Sequence, residues 1–283
     1  MKEHIIKYSQ SPIFIGGLFK SGTTLLRAML GQHSAIASGL ETYWFDIDWD
    51  EVRNKKTHAN IERLRTFYGL DKDLMDEIVA ESKDMVQFLN MLLGHYAESL
   101  GKRRWAEKTP GNILHLERIY DGWSDAKVIH IIRDPRDVFA SLKQAKKWDT
   151  IEKFVELWCL FLGTAETSKR ELNLDGNIYL EIRYEDLVIR PEKTMRNVIN
   201  FLNEVWEEGL ASFEGKKDEY DKVLEVTGKA STTLDRLRRP LSNKRVGIWR
   251  ETLRQDEVEK IHHLVEQEGR LSLMTRIERE TPQ

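Results

Sequence analysis

Pro12-Ile-Phe-Ile-Gly-Gly-Leu-Phe-Lys20-Ser-Gly22-Thr-Thr-Leu-Leu-Arg-Ala-Met-Leu-Gly-Gln-His-Ser34 is the stretch on which the fold turns. It opens with a short apolar strand, Pro12–Ile15, running into Gly16-Gly17. It closes with a helical pattern over Thr24–Gln32 that puts Leu25, Leu26, Met29 and Leu30 on one side. Between them, Gly17 to Thr24 has the length of a loop that cradles a phosphate. Backbone N–H groups of such a loop and of the first helical turn converge on an anion, and the helix start adds a positive partial charge. Gly22 permits a close backbone approach. Thr23 and Thr24 can donate hydroxyls, and Ser21–Thr24 are the candidate phosphate-holding residues.

The loop departs from the nucleoside-triphosphatase pattern, in which a lysine directly follows the second glycine. Here Thr23 takes that place, and the loop lysine is Lys20, two residues before Gly22. A triphosphatase also wants an acidic magnesium ligand after a strand. The strand-like run Lys127–Ile132 (KVIHII) ends in Arg133 instead. The loop therefore suits a 5′-phosphate that carries a transferable group, without a triphosphate and its metal.

Outward from this stretch, strands and helices alternate. Arg104–Glu107, Lys127–Ile132 and Asn177–Ile182 read as further strands. Asp71–Leu100 (more than one helix), Ile151–Leu172, Glu192–Asn203 and Gln255–Gln267 read as helices. A short strand-like run also precedes Glu41. Near-continuous apolar strands between helices predict a three-layer α/β fold with a central, mostly parallel sheet. The chain shows no internal repeat and no Pro/Gly/Ser-rich linker, so residues 1–283 read as one domain.

Composition narrows the classes. Apolar residues make up 40%, ample for a core, and 44 basic against 47 acidic residues leave a net charge of -3. That balance argues against binding nucleic acid through bulk positive charge. A single cysteine, Cys159, forms no intrachain disulfide and no cysteine-rich zinc site, and reads as a buried, inert thiol. No targeting or membrane-spanning segment is legible. The expectation is a cytoplasmic protein without membrane insertion. Its oligomeric state cannot be read from the sequence.

The segment GLFKSGTTLLRAML resembles the 5′-phosphosulfate loop of sulfotransferases that use 3′-phosphoadenosine 5′-phosphosulfate (PAPS). It looks closest to the tyrosylprotein branch, from the glycine pair through Arg-Ala-Met-Leu. Lys20 stands where that branch has arginine; cytosolic and heparan-type enzymes have lysine there. The segment VIHIIRDPRDVFASL (Val128–Leu142) is similar to the 3′-phosphate element of the same superfamily. Arg133 stands at the strand end and Ser141 eight residues on. The resemblance gives both residues that role, and a guanidinium fork on a terminal phosphate is apt chemistry. Tyr184-Glu-Asp-Leu-Val looks like the segment whose tyrosine lies against the nucleotide; a packed core tyrosine is the other reading. Ser231 to Lys244, then Arg245-Val-Gly-Ile-Trp249, resembles the loop closing over the phosphates, which makes Ser231, Lys244 and Arg245 candidates. Arg236, Arg238 and Arg239 read as a solvated face.

The resemblance implies a sulfotransferase domain that moves a sulfuryl group from PAPS to an acceptor hydroxyl, releases adenosine 3′,5′-bisphosphate and needs no metal. Positioning and charge stabilisation should dominate such a transfer. Lys20 and Lys108, the latter in Glu107-Lys-Thr-Pro-Gly-Asn112, are the candidates for stabilising the transferring group. Glu41, in Gly39-Leu-Glu-Thr-Tyr-Trp-Phe45, is the candidate general base, with aromatic neighbours expected to raise its pKa. His130 reads as a strand histidine, His95 and His115 as alternative bases. Adjacent His262 and His263 point to different helix faces and make a poor metal site. Residues 46–100 form a helical insertion expected to shape the acceptor cleft. Carbohydrate, small metabolite and protein tyrosine stay open as acceptors. The alternatives are a P-loop kinase or NTPase with an altered loop, and a non-catalytic nucleotide-binding protein on this fold.

Overall fold

The glycine-ended strand β1 (Ile13–Gly16) has neighbours on both sides, because its residues are apolar without interruption and can be buried on both faces. The computed structural model describes residues 11–53, 59–146, 150–215 and 238–280, with Asp221 and Leu224. Ser231 and Arg236 lie outside these. Among the described residues the sheet has five strands in the order β2-β3-β1-β4-β5, where β2 is Ile36–Ser38, β3 Arg104–Lys108, β4 Lys127–Ile132 and β5 Tyr179–Arg183. Every pairing is parallel.

Chain order and sheet order together place the binding crevice. After β1 the chain runs through α1 (Thr23–Leu30) to one side of the sheet. After β4 it runs through α7 (Pro135–Gln144) and α8 (Ile151–Glu171) to the other. The loops after β1 and β4 thus part at a topological switch point, where open α/β sheets bind ligands beyond the strands' carboxyl ends.

The remaining helices follow from their patterns. α2 (Trp49–Arg53), α3 (Ala59–Tyr68), α4 (Lys72–Glu81) and α5 (Met85–Ser99) occupy the connection from β2 to β3. The long predicted helical region divides at Ser82-Lys83-Asp84, with Asp71 and Asp84 capping α4 and α5 by accepting from Leu74 N and Gln87 N. α6 (Leu116–Gly122) leads into β4, and α9 (Tyr184–Ile189) and α10 (Pro191–Phe201) follow β5. α11 (Trp249–Thr252), α12 (Gln255–Gln267) and α13 (Leu271–Glu280) complete the described chain. No helix among the described residues is long and apolar enough to cross a membrane.

Alternation along the strands divides the core between the two sheet faces. Phe14, Trp105 and Val128 face a cluster with Trp44, Trp123, Phe139, Phe154 and the α3–α5 side chains. Ile13, Ile15, Ile129 and Ile131 face a second, with Leu26, Met29, Leu187 and Val198. α5 packs against β2 and β3, so the end of the 46–100 segment is core. Three strands differ in their bounds from expectation, β1 being shifted by one residue to Ile13–Gly16. β3 extends to Lys108. β5 begins at Tyr179 because Asp175 takes up the preceding turn, accepting from Asn177 N at 2.8 Å and, through its carbonyl, from Tyr179 N at 3.0 Å.

Candidate active site

The phosphate-type loop is shaped by backbone demands that its glycines meet. Gly17 has φ +142, and a Cβ there would collide with the carbonyl oxygen of Ile131 on β4. Gly22 has φ +100 and caps α1 with no side-chain bond of its own. The loop closes with Ser21 N donating to Leu18 O at 3.1 Å, and Gly17 N donates to Pro110 O at 3.0 Å. Lys20 adopts φ 69, and its carbonyl accepts from Arg133 Nη1 at 2.9 Å. Ser21 and Thr23 are buried, while Thr24 is half-buried and accepts from Lys108 Nζ at 3.2 Å.

Lys108, Glu41 and Thr24 form one polar chain at the end of β3. Lys108 is 3% exposed at its side chain and pairs with Glu41 Oε1. Glu41 Oε2 accepts the phenolic hydroxyl of Tyr43. Burial pushes the Glu41 carboxyl up, but the charge and hydrogen bond of Lys108, helped by Tyr43 and Arg27, outweigh it and hold the group below the ordinary 4.5. The expected upward shift is thus reversed, because the ring beside the carboxylate donates to it and a lysine faces it. Burial drives the Lys108 amine down against the opposing pull of Glu41.

Glu107, which the sequence reading passed over, holds this chain in place. It is 1% exposed and accepts from Thr42 N (3.0 Å), Thr42 Oγ1 (2.8 Å), Thr109 Oγ1 (2.6 Å) and Asn112 Nδ2 (2.6 Å). Asn112 also donates to Ile15 O on β1 and accepts from Trp44 Nε1, each at 3.0 Å. One carboxylate therefore ties the Glu41 segment, the turn after Lys108 and the strand before the loop together. A signal existed: a carboxylate in the strand segment Arg104-Trp-Ala-Glu107-Lys108, with the donors Thr109 and Asn112 two and five residues on. From the insertion, Arg63 Nη2 donates to Glu41 O at 2.6 Å, Asn60 Nδ2 to Thr42 O at 2.7 Å, and Tyr68 Oη to Leu40 O at 2.9 Å. α3 is thus the part of residues 46–100 that reaches the site.

A second cationic centre lies beyond β4. The Arg133 guanidinium sits 4.1 Å from the centroid of the Tyr184 ring and donates to Lys20 O and Arg245 O. Tyr184 is buried and its ring backs Gly22, so it joins the two loops. Asp137 accepts from Gly247 N (2.8 Å) and Trp249 N (3.1 Å), which anchors the segment bearing Arg245 on α7. Ser141 lies one turn beyond Asp137 on the same helix face. Arg133 Nε, Ser141 Oγ, and Nε and Nη2 of Arg245 are buried without a hydrogen-bond partner. Burial, and then the charge of Arg133, depress the Arg245 guanidinium. Lys244 is exposed and is not brought into this cluster.

The remaining candidates resolve simply. His130 is buried, bonds the Tyr179 hydroxyl at 2.7 Å, and is driven by burial down to about 3. His115 stacks on Phe45 at 4.2 Å and is lowered by burial and Arg118. His262 contacts Arg136 Nη1 at 3.2 Å. Cys159 is buried and its thiol is pushed up to about 11, chiefly by burial. No group of acidic, histidine and cysteine side chains suited to a metal occurs among the described residues.

A profile of the Sulfotransferase family matches residues 12–208, which span the loop, the Glu41 segment, β3, β4 and Tyr184. The chain is 23% identical over 254 residues to a protein-tyrosine sulfotransferase of Drosophila melanogaster, covering 84% of this chain but only 46% of the fly protein. The sulfotransferase domain of the Synechococcus PCC 7002 olefin synthase has the same fold, with a TM-score of 0.64 at 20% identity, over 91% of this chain and 95% of that one. Mouse sulfotransferase SULT7A1, solved in complex with PAP, superposes with a TM-score of 0.51 at 15% identity, over 95% and 88% of the two chains. The chain belongs to the sulfotransferase family.

Proposed function

We propose that this chain moves a sulfuryl group from PAPS to an acceptor hydroxyl and releases adenosine 3′,5′-bisphosphate. The observation that carries the reading is the set of buried, unpartnered donors at Arg133, Ser141 and Arg245, beside a phosphate-type loop. Buried polar groups without partners are costly, and a terminal phosphate would satisfy these three residues. The bound donor supplies a sulfuryl group on a phosphate leaving group.

The chain's own residues do the rest. Amides and hydroxyls of Ser21–Thr24 hold the 5′-phosphate. Arg133, Ser141 and Arg245 hold the 3′-phosphate, with Tyr184 fixing the plane of the Arg133 guanidinium. Lys108, beside Thr24, and Lys20, in the loop, neutralise charge that develops toward the leaving oxygen. Glu41 takes the acceptor proton once Lys108 turns toward the donor. Tyr43, bonded to Glu41, and Arg63, over the Tyr43 ring, are the side chains an acceptor would meet at Glu41. Similarity to a protein-tyrosine sulfotransferase supports tyrosyl peptides in the acceptor screen, beside sugars and small phenols.

Titration calorimetry with adenosine 3′,5′-bisphosphate, against ADP plus magnesium, tests the donor site. Metal-independent binding that prefers the bisphosphate is expected, and preference for ADP with magnesium would overturn the reading. Glu41→Gln should keep the bisphosphate affinity and lower the rate with any accepted hydroxyl by roughly 100-fold or more.

A further inference from the structure

The polar chain that starts at Thr24 does not end at the carboxylate. Glu41 divides its oxygens: Oε1 faces Lys108, and Oε2 accepts from the phenol of Tyr43. Tyr43 is 38% exposed, and its phenol meets the carboxylate oxygen that does not face Lys108. Its backbone lies in the left-handed region, φ 51 and ψ 38, which costs a bulky L-residue about 1 kcal/mol. Tertiary contacts hold it there. Tyr43 N donates to Thr109 Oγ1 at 3.3 Å, and the Arg63 guanidinium lies 5.4 Å from the ring centroid. The neighbouring Thr42 is pinned by Glu107.

A general base must lie within hydrogen-bond reach of the hydroxyl it deprotonates. The hydroxyl that meets this condition for Glu41 belongs to the protein itself. Resting on the sulfotransferase reading, we propose that Tyr43 is an internal acceptor: with donor bound and no external hydroxyl in place, the protein sulfates its own Tyr43. In that step Tyr43 Oη forms a bond to sulfur. The bond from sulfur to the bridging phosphate oxygen breaks, and its electron pair leaves with adenosine 3′,5′-bisphosphate. The phenolic proton passes to Glu41. The ester places a lasting negative charge beside Glu41, with Arg63 as counter-charge, and so blocks the base. An external acceptor has to displace Tyr43 and therefore competes with this labelling.

The purified full chain is incubated with PAPS carrying radiolabelled sulfate and no acceptor, then digested with trypsin and fragmented. The expected result is one label on Tyr43 in the peptide Ala28–Arg53. The rate per molecule should not change with protein concentration, as transfer within one molecule requires. Tyr43→Phe should abolish the label, and Glu41→Gln should slow it by roughly 100-fold. Label on Ser38 or Thr42, a rate that rises with protein concentration, or no label would overturn the proposal. Calorimetry with adenosine 3′,5′-bisphosphate on the same sample separates the causes. Binding without label removes the internal acceptor alone, whereas no binding removes the donor reading and the proposal with it.

A donor-free readout stands beside these. The ultraviolet ionisation of Tyr43, taken as wild type minus Tyr43→Phe, should lie above the ordinary tyrosine range and fall toward it in Glu41→Gln. Ionisation of Tyr43 as an ordinary phenol would show that the Glu41 contact does not form in solution, and would equally overturn the proposal.

Discussion

A Cβ placed on Gly22 would fall 2.5 Å from Cδ2 of Tyr184, so the loop glycine and the ring after β5 are in contact that only a bare backbone permits. Gly22 also holds φ +100, which side-chain-bearing residues rarely adopt. Gly22→Ala should therefore displace the ring that backs Arg133. We expect a stability loss of roughly 1–3 kcal/mol and loss of bisphosphate binding, measured by thermal unfolding and calorimetry. Normal binding by Gly22→Ala would show that the contact is dispensable.

Ser141 separates binding from folding. Its hydroxyl is buried without a partner, so removing it breaks no bond in the free protein. Ser141→Ala should leave the melting temperature unchanged or slightly raised. It should weaken adenosine 3′,5′-bisphosphate by about tenfold, while adenosine 5′-phosphate, which lacks the 3′ group, binds as before. Equal weakening of both nucleotides would place Ser141 elsewhere than at the 3′-phosphate.

Glu107→Gln replaces an acceptor-only group by one that presents N–H groups to donors already aimed at it. The buried donors on Thr42, Thr109 and Asn112 cannot all be satisfied, and unfolding should be easier by roughly 2 kcal/mol. The Glu41 segment loses its anchor, but the Arg133 centre does not. Turnover should fall while bisphosphate affinity holds. A parallel loss of both would mean general unfolding.

Glu185 predicts a pH dependence. Burial raises this carboxyl to about 7, against the opposing pull of the Asp134 amide and the Arg133 charge. Since the native group holds its proton more tightly than the unfolded one, it lowers stability progressively as pH rises from about 4.5 to about 7, and by a constant amount above. Glu185→Gln should thus stabilise the protein by roughly 1–3 kcal/mol at pH 8 and by nothing at pH 4. A phosphate bound at Arg133 raises the carboxyl further, so bisphosphate binding near pH 7 should take up a proton. Calorimetry in buffers of different ionisation enthalpy measures that uptake.

The local elements of the site were legible because they depend on near neighbours. A strand, two glycines and a helix start predict an anion loop whatever the rest of the chain does. The apolar runs at β1 and β4 likewise predict buried parallel strands. The linking groups were not legible. Glu107 and Asp137 act on backbone far away in the chain, Thr42 and Gly247 respectively, and no local pattern marks an acid for that work. The pKa of Glu41 reversed for the same reason: its partner Lys108 lies 67 residues on.

Sequence alone determined the loop type, the α/β alternation and the displacement of the cation to Lys20, because each is a matter of residue kind and short spacing. Tertiary structure alone decided that β1 lies between β3 and β4, which brings Lys108 to one side of the loop and Arg133 to the other. Strand order is set by how whole faces bury their apolar area, a sum over the fold that no single segment carries.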